Sequence, residues 1–248
     1  MNKESQSWSI IVFAYNEAGN IEKVLAQIES FFSALPEEKK ECLIIDDGSH
    51  DGTYEVAAKW EQRYSWLHVI RHEENRGIHA ALQTGYANAR CENVVAVPGD
   101  GQFDINELRA FRNIPDNTII SFYRTQRPGY GPLRNALSNT NKILNLFVLG
   151  LWIRDVNWVK VYKKASLDQL RLDSTSVLFE TGLCAQILAN GSRLVQIPCR
   201  YLPRDYGSAK GANFKTVSRV VSDMLPFYLK TFSSTIPRRI RNTFYKRS

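Results

Sequence analysis

The chain has 248 residues and a formal net charge of +7, and 44% of its residues are apolar. This length suits one large α/β domain, or a domain with an arm, and buries a sizeable core without disulfides or a structural metal. No apolar run reaches the roughly 18 residues that a membrane-spanning helix needs, so a spanning segment is not expected.

Apolar segments with strand and helix periodicity alternate along the first half of the chain. Short apolar runs predict strands at 8–13, 42–45, 67–70, 94–97 and 118–122. Helical spacing predicts a helix at 20–35 with Asn20 as its N-cap, a helix that Asp51 caps, a helix with its apolar face within 78–89, and a short helix at 105–111. This alternation indicates a mostly parallel, doubly wound sheet with flanking helices.

The predicted central strand, 94–97, ends abruptly at Pro98 and Gly99, and oxygen-bearing side chains follow. A buried apolar strand is typical of a parallel sheet, and ligands bind beyond the carboxyl ends of such strands. Asp100 and Gln102 are two residues apart, and an extended chain places both side chains on one side. Carboxylate and amide oxygens suit Mg²⁺ or Mn²⁺, so a metal site is predicted here. The alternative is an ordinary loop in which Asp is a turn former.

The loop after the second predicted strand, 46–53, is rich in carboxylates and glycine. As a calcium loop that starts at Asp47, it places Ser49 and Asp51 at ligand positions, but position twelve is Ala58 where an EF-hand needs Glu. The calcium interpretation therefore fails. A loop that caps the next helix fits better, and its carboxylates can accept hydrogen bonds from a nucleotide base or ribose.

The character of the chain changes after the fifth predicted strand. Arg124 and Arg134 belong to an arginine cluster in a loop with glycine and proline, and an apolar run follows at 143–153. As a helix that run is about 16 Å long, roughly half a bilayer core. Spaced apolar residues at 217–228 predict an amphipathic helix, and the tail beyond it carries only basic charges.

Together the two apolar elements and the basic tail predict a protein that works at an anionic membrane surface without spanning it. We expect a cytoplasmic protein that is peripheral at the cytoplasmic face. The alternative is that both elements pack on the sheet or form the seam of a homodimer.

The motifs of the chain together resemble those of family 2 glycosyltransferases with the GT-A fold, most of all the dolichol-phosphate mannose synthase and polyprenyl-phosphate sugar transferase branch. They are AYNE at 14–17, DDGS at 46–49, DGT at 51–53, NRG at 75–77, Gly85, DGQ at 100–102, RDVN at 154–157 and RDYGSAK at 204–210. The resemblance spans about 8–230. It implies a Rossmann-like GT-A domain at 1–215, followed by an amphipathic helix and basic tail at 216–248.

The resemblance also implies a nucleotide site and a metal site. The residues that would contact the nucleotide are Ala14, Tyr15, Glu17, Ile45, Asp47, Gly77 and Asp100. Asp100 and Gln102 would hold a Mg²⁺ or Mn²⁺ ion that bridges the diphosphate. The family often has Asp-x-Asp here, whereas this chain has Pro98 in the first position. Weaker or differently completed metal coordination is therefore expected.

The implied reaction is inverting transfer of a sugar from a nucleoside-diphosphate sugar, in which the metal neutralises charge on the leaving diphosphate. A lipid phosphate acceptor is already ionised, so it needs only cations that orient it. Arginine suits this role because its guanidinium binds phosphate in a bidentate way. Four basic residues suit that role: Arg124, Arg134, Arg204 and Lys210. A saccharide hydroxyl would instead need a general base such as Asp155 or Glu180.

Other functions stay open at this point. One is a glycosyltransferase that adds sugar to a saccharide hydroxyl in polysaccharide or lipopolysaccharide synthesis. Another is a non-catalytic nucleotide-binding module, because the Asp-x-Asp motif is incomplete. The net charge of +7 also suits a nucleic-acid binder, but the chain has no interleaved aromatic and basic motif, so no nucleic-acid partner is expected.

We also make predictions for a few residues outside the motifs. The four cysteines form no C-x-x-C pair, and Cys42 and Cys91 lie in or beside predicted strands. We expect buried free thiols and a reducing compartment. His72 is predicted to be a surface residue, and Trp158 a core residue. Glu180 is equally compatible with a structural role in a helix.

Overall fold

Seven strands form one sheet in this computed structural model, which describes residues 6–111, 113–126, 152–170 and 178–207 together with Lys142 and Leu146. The strands are β1 (Trp8–Ala14), β2 (Lys40–Asp46), β3 (Leu67–Arg71), β4 (Asn93–Pro98), β5 (Thr118–Arg124), β6 (Lys160–Lys163) and β7 (Arg193–Cys199). The helices are α1 (Ala18–Phe32), α2 (Thr53–Glu61), α3 (Ile78–Asn88), α4 (Lys164–Leu167) and α5 (Phe179–Ala189), with 3-10 turns at Glu37–Lys39 and Ile105–Ala110.

The strand order is β3-β2-β1-β4-β6-β5-β7. Strands β1 to β4 are parallel to one another, β5 and β7 are parallel, and β6 runs antiparallel between β4 and β5. The order reverses between β1 and β4, which is the switch point where open α/β sheets bind ligands. In register, Ala14 pairs with Asp46 and Phe13 with Pro98, so three strands end at one level of one edge.

Two layers of helices cover the sheet, because successive strand residues point to opposite faces. On one face, Ile10 and Val12 pack in the same buried cluster as Leu25 of α1. On the other, Ile11 packs in a cluster with residues of α3 and α5. A Cβ at Gly85 of α3 would lie 2.3 Å from Ile11 Cγ2, so only glycine allows α3 to lie this close to β1.

All five predicted strands are present, and the mostly parallel α/β sheet is confirmed. The prediction of Asn20 as an N-cap is wrong, because α1 begins at Ala18 with Glu17 in the cap position. Asp51 lies one residue before the N-cap Gly52, and its carboxylate accepts the N–H of Thr53, so it bonds the first turn of α2. Strands β6 and β7 were not predicted.

Several sequence predictions fall on residues outside the described part of the chain. These include most of the apolar run at 143–153, the amphipathic segment 217–228 and the whole of 216–248. Among the helices within the described ranges, none is both long and apolar enough to cross a membrane.

The thiols of the four cysteines are free. Cys42, Cys184 and Cys199 are buried as expected, whereas Cys91 is only half-buried. Burial raises the pKa of Cys184 to about 12 and that of Cys199 to about 11. Such thiols stay protonated at neutral pH and are poor nucleophiles.

Candidate active site

The loops that follow β1 and β2 are bonded to each other at the switch point. The N–H of Asn16 donates to Ser49 Oγ at 2.9 Å, and the N–H of His50 donates back to Asn16 Oδ1 at 2.9 Å. The N–H of Glu17 donates to Thr53 Oγ1 at 2.8 Å. Asn16 has φ +53°, which Asn tolerates better than most residues. These bonds hold the AYNE and DDGS motifs as one surface.

Asp47 follows directly after β2 and is almost fully buried. Its Oδ1 accepts hydrogen bonds from His72 Nδ1 at 2.7 Å and from the N–H of Arg76 at 3.0 Å. Its Oδ2 accepts the N–H of Gly77 at 2.8 Å. Asp47 therefore ties the loop that holds the NRG motif to the carboxyl end of β2.

His72 is the partner of Asp47 that sequence reasoning missed. It is buried, and its Nε2 lies 2.9 Å from Thr84 Oγ1 of α3, so the prediction of a surface histidine is wrong. It follows directly after β3, and the pairing of β3 with β2 brings it beside the end of β2. One sequence signal could have identified His72. It is a polar residue directly after β3, and β3 neighbours the strand of the DDGS motif.

The remaining predicted nucleotide contacts differ in accessibility. Tyr15 and Gly77 are half-buried. Ala14 is buried, and its carbonyl accepts the N–H of Asp47 at 2.9 Å. Ile45 is fully buried in the cluster beneath α3, so its side chain contributes to the core.

The loop after β4 is a tight turn. Gly101 has φ +73°, and Asp100 Oδ1 accepts the N–H of Gln102 at 3.0 Å. The prediction that an extended chain aligns Asp100 and Gln102 is therefore wrong. A Cβ at Gly99 would lie 3.0 Å from the Ala14 Cβ, which shows how closely this loop packs on β1.

Arg204 bridges two carboxylates of the site. Its Nη2 lies 2.6 Å from Asp100 Oδ2, and its Nη1 lies 3.6 Å from Glu17 Oε1. Burial alone would lower the pKa of Arg204, but the hydrogen bond and charge of Asp100 outweigh burial and raise it. The structure thus brings Glu17 and Asp100 to the positive charge of Arg204, and all three are predicted site residues from distant parts of the chain.

The segment after β7 reaches this position through a second set of bonds. The N–H of Leu202 donates to the carbonyl of Gln102 at 3.0 Å. Asn20 exchanges two 3.1 Å hydrogen bonds with the backbone of Tyr206, and Lys23 pairs with Asp205 at 2.5 Å. The segment that carries Arg204 is therefore fastened to both the β4 loop and the start of α1.

Arg124 holds a different carboxylate. Its Nε and Nη2 form a bidentate pair with Asp155 at 2.7 and 3.0 Å. The guanidinium also lies over the Trp158 ring at 4.4 Å and the Tyr201 ring at 5.4 Å. Trp158 is half-buried against this group, so the core prediction for it is only partly correct. Arg134 and Lys210, the other two predicted phosphate ligands, lie outside the described residues.

Glu180, the second candidate base, belongs to a buried network under α3. It accepts hydrogen bonds from the hydroxyls of Tyr86 and Tyr162, and its Oε2 lies 3.4 Å from Lys160 Nζ. Burial, together with the charge of Glu180, raises the pKa of both tyrosines well above the usual value. Both hydroxyls therefore stay protonated and donate, which indicates a structural network.

A divalent ion fits the donor set at Asp100 if other molecules complete it. Within the ranges that the structure covers, no group of three or more His, Cys, Asp or Glu side chains is arranged to hold a metal. Asp100 Oδ2 nevertheless already faces a cation, the guanidinium of Arg204. Mg²⁺ commonly takes one or two protein carboxylates and completes its shell with water and substrate phosphates. Asp100 is such a partial set, and Gln102, the other predicted ligand, lies half-buried two residues further on.

The fold matches solved glycosyltransferases. One is a mannosyltransferase from Pyrobaculum calidifontis in complex with GDP-Man and Mn²⁺, with a TM-score of 0.63 and 19% identity over 95% of this chain and 67% of that one. Another is glucosyl-3-phosphoglycerate synthase from Mycobacterium tuberculosis with Mn²⁺, UDP and phosphoglyceric acid, with a TM-score of 0.69 and 16% identity over 94% and 80%. The chain thus has the GT-A glycosyltransferase fold.

The family follows from the sequence match. Residues 9–148, more than half of the chain, match the model of Glycosyl transferase family 2. The chain therefore belongs to glycosyltransferase family 2, and the resemblance is confirmed.

Its relatives include transferases with lipid phosphate acceptors in their names. Polyprenol monophosphomannose synthase of Mycolicibacterium smegmatis is 26% identical over 86% of this chain and 84% of its own. A dolichyl-phosphate beta-glucosyltransferase of Trichomonas vaginalis is 29% identical over 52% and 44%, and the glycosyltransferase AglE of Haloferax volcanii is 36% identical over 37% and 30%. The chain thus spans less than half the length of the last two.

Proposed function

We propose that this protein transfers a sugar, with inversion, from a nucleoside-diphosphate sugar to a polyprenyl-type lipid phosphate. Family membership and the names of the relatives support the reaction class. The observation that carries the acceptor class is the state of the two candidate bases. Asp155 is held in a bidentate pair by Arg124, and Glu180 is held by two tyrosines and Lys160. An ionised phosphate needs no base, whereas a hydroxyl acceptor does.

In this proposal the donor lies across the ends of β1, β2 and β4. Asp47 and the AYNE loop hold the nucleoside, and the diphosphate lies near Asp100 and Arg204. Asp100 and Gln102 would hold a divalent ion, which would neutralise the charge that develops on the leaving diphosphate. Arg204 exchanges its contact with Asp100 for the oxygens of the acceptor phosphate, because a guanidinium binds phosphate in a bidentate way.

The acceptor phosphate is held by basic residues beside the donor. Arg204 is the described member of this set, and Arg134 and Lys210 remain proposed members. Arg124 has two of its donors bonded to Asp155, so we propose that it positions Asp155 and the Trp158 ring at the wall of the site.

A donor and acceptor panel tests the function. The protein is incubated with nucleoside-diphosphate sugars and Mn²⁺, with either a short-chain polyprenyl phosphate or an oligosaccharide as acceptor. Released nucleoside diphosphate and the mass spectrum of the lipid extract are measured. We expect a glycosyl-phosphate lipid. Product on the oligosaccharide alone would favour the saccharide-hydroxyl alternative, and nucleotide binding without product would favour a non-catalytic module.

Asp47→Ala is expected to weaken nucleoside diphosphate binding by about tenfold or more, because it removes a buried acceptor and releases the NRG loop. Isothermal calorimetry measures the affinity. Asp168→Ala is the matched control, since Asp168 is exposed in a surface pair with Lys164. Equal affinity of the Asp47 variant and the wild type would move the nucleotide to another part of the protein.

We also propose that the protein binds anionic membranes through the apolar segment 217–228 and its basic tail. Each Lys or Arg near anionic lipid adds about 1 kcal/mol, so loss of the tail should weaken binding markedly. Flotation with anionic vesicles compares the full chain with a chain truncated after Leu229, at low and high salt. The full chain should float at low salt and be released by high salt. If both proteins stay unbound at low salt, the membrane proposal is wrong.

A further inference from the structure

Asn20 lies in the first turn of α1, and its amide bonds two separate parts of the candidate site. Its Nδ2 donates to Glu17 Oε2 at 2.7 Å and to the carbonyl of Tyr206 at 3.1 Å. Its Oδ1 accepts the N–H of Tyr206 at 3.1 Å. A carboxylate and a carbonyl only accept, whereas a backbone N–H only donates. The three bonds therefore require a group that both donates and accepts, and they fix the orientation of the amide.

Arg204 lies midway between two backbone anchors. Two residues before it, the N–H of Leu202 donates to a carbonyl of the β4 loop at 3.0 Å. Two residues after it, the backbone of Tyr206 is held by Asn20. Most of the segment 203–207 is exposed, so burial of apolar surface contributes little to holding it. Its position therefore depends on these hydrogen bonds.

The bonds of Asn20 and Arg204 form a closed circuit. Glu17 accepts from Asn20 through Oε2, and its Oε1 lies 3.6 Å from Arg204 Nη1. The other terminal nitrogen of Arg204, Nη2, lies 2.6 Å from Asp100 Oδ2. One buried amide thus orients the Glu17 carboxylate and, through the backbone of Tyr206, places the guanidinium between Glu17 and Asp100.

Gly19 provides the space for this contact. A Cβ at Gly19 would lie 2.9 Å from Tyr206 Cγ and 3.1 Å from Tyr206 Cβ. Alanine is favoured over glycine in a helix, so the helix itself gives no reason for a glycine here. The close approach of Tyr206 to α1 does give one. Substitution of Gly19 can therefore disturb the contact without weakening the helix.

We propose that Asn20 is a positioning residue for sugar transfer, which holds Arg204 where it receives the acceptor phosphate. The inference rests on the proposed function, in which Arg204 exchanges its contact with Asp100 for the oxygens of that phosphate. Two parallel bonds from a guanidinium to a phosphate require a defined geometry. A misplacement of about 1 Å can lower a rate about a hundredfold. Because the backbone is held on both sides of Arg204, only its side chain has to move.

Hydrogen exchange of the protein alone tests the contact. Asn20→Ala removes all three bonds, and Gly19→Ala keeps Asn20 but displaces the ring of Tyr206. In both variants the protection factor of the amide at residue 206 should fall about tenfold, the factor for one net hydrogen bond. Adding Tyr206→Ala to Gly19→Ala removes the displaced ring and should restore protection. Unchanged protection in both single variants would overturn the inference.

Transfer to a short-chain polyprenyl phosphate, with the donor that the panel identifies, measures the consequence. Both single variants should lower kcat/KM for the lipid phosphate by about tenfold to a hundredfold. In Gly19→Ala, which keeps the bond between Asn20 and Glu17, the KM for the donor should stay within about twofold. Asn88→Ala is the matched control, because Asn88 is exposed near the far end of α3 and its amide bonds only a helix carbonyl.

The outcomes separate the inference from the proposed function. Full kcat/KM in both single variants, with an active wild type, would overturn the inference and leave the proposed function in place. An equal loss toward donor and acceptor in Gly19→Ala would indicate a general structural effect and would also overturn the inference. A wild type that transfers no sugar to the lipid phosphate would overturn the proposed function, and the inference with it. Circular dichroism establishes that the variants are folded.

Discussion

Asp100→Asn should lower turnover by about a hundredfold to a thousandfold, the range typical of losing one electrostatic group that acts on developing charge. Asp100 is the carboxylate of the DGQ motif at 100–102, and its Oδ2 faces the guanidinium of Arg204. An amide keeps the size of the side chain and can still accept the N–H of Gln102, so the turn and the fold should persist. The substitution removes the negative charge that pairs with Arg204 and that, in the proposal, would hold the metal.

The measurement is released nucleoside diphosphate under saturating donor and Mn²⁺, with Mn²⁺ binding followed separately by electron paramagnetic resonance. Asp104→Asn is the matched control, because Asp104 lies in the same loop and caps the following 3-10 turn through Asn106, a role that Asn also fills. Full activity of the Asp100 variant, or of the wild type in excess chelator, would show that the metal assignment is wrong.

Glu180→Gln should lower the free energy of unfolding by about 3 kcal/mol, because it leaves a buried ammonium without its counter-charge. The Lys160 side chain is 0% exposed, and Glu180 is its acidic partner at 3.4 Å. The carbonyls of Val156 and Trp158 accept hydrogen bonds from Lys160 but carry no net charge. The two tyrosines donate to different oxygens of Glu180, and a glutamine keeps only one acceptor oxygen, so the loss combines the missing charge with one tyrosine hydrogen bond.

Urea unfolding followed by circular dichroism measures the change. The double variant Lys160→Met/Glu180→Gln is the internal control, since replacing both members of a buried pair by neutral groups is often neutral for stability. It should recover most of the loss. A single variant as stable as the wild type would mean that Lys160 is neutral in the folded protein, and the ion pair would then be a pair of ordinary hydrogen bonds.

Much of the fold and the position of the site were determined by local patterns. Apolar runs that end in polar loops identify parallel strands, and parallel strands place their carboxyl ends at one edge. This reasoning correctly brought the loops of Glu17, Asp47 and Asp100 together. It works because strand periodicity and turn chemistry depend on near neighbours in the chain. The family motifs AYNE, DDGS and DGQ also lie at the carboxyl ends of β1, β2 and β4.

The partners of these side chains were decided only by the tertiary structure. Arg204 meets Asp100 because the segment after β7 is fastened to the β4 loop and to α1, and nothing near Arg204 in sequence specifies that docking. His72 meets Asp47 because β3 pairs with β2 in one register. The antiparallel insertion of β6 is equally non-local, since its partners β4 and β5 precede it by tens of residues. Contacts between distant segments depend on how whole elements pack. The hydrophobic periodicity of one segment does not specify which other segment it contacts.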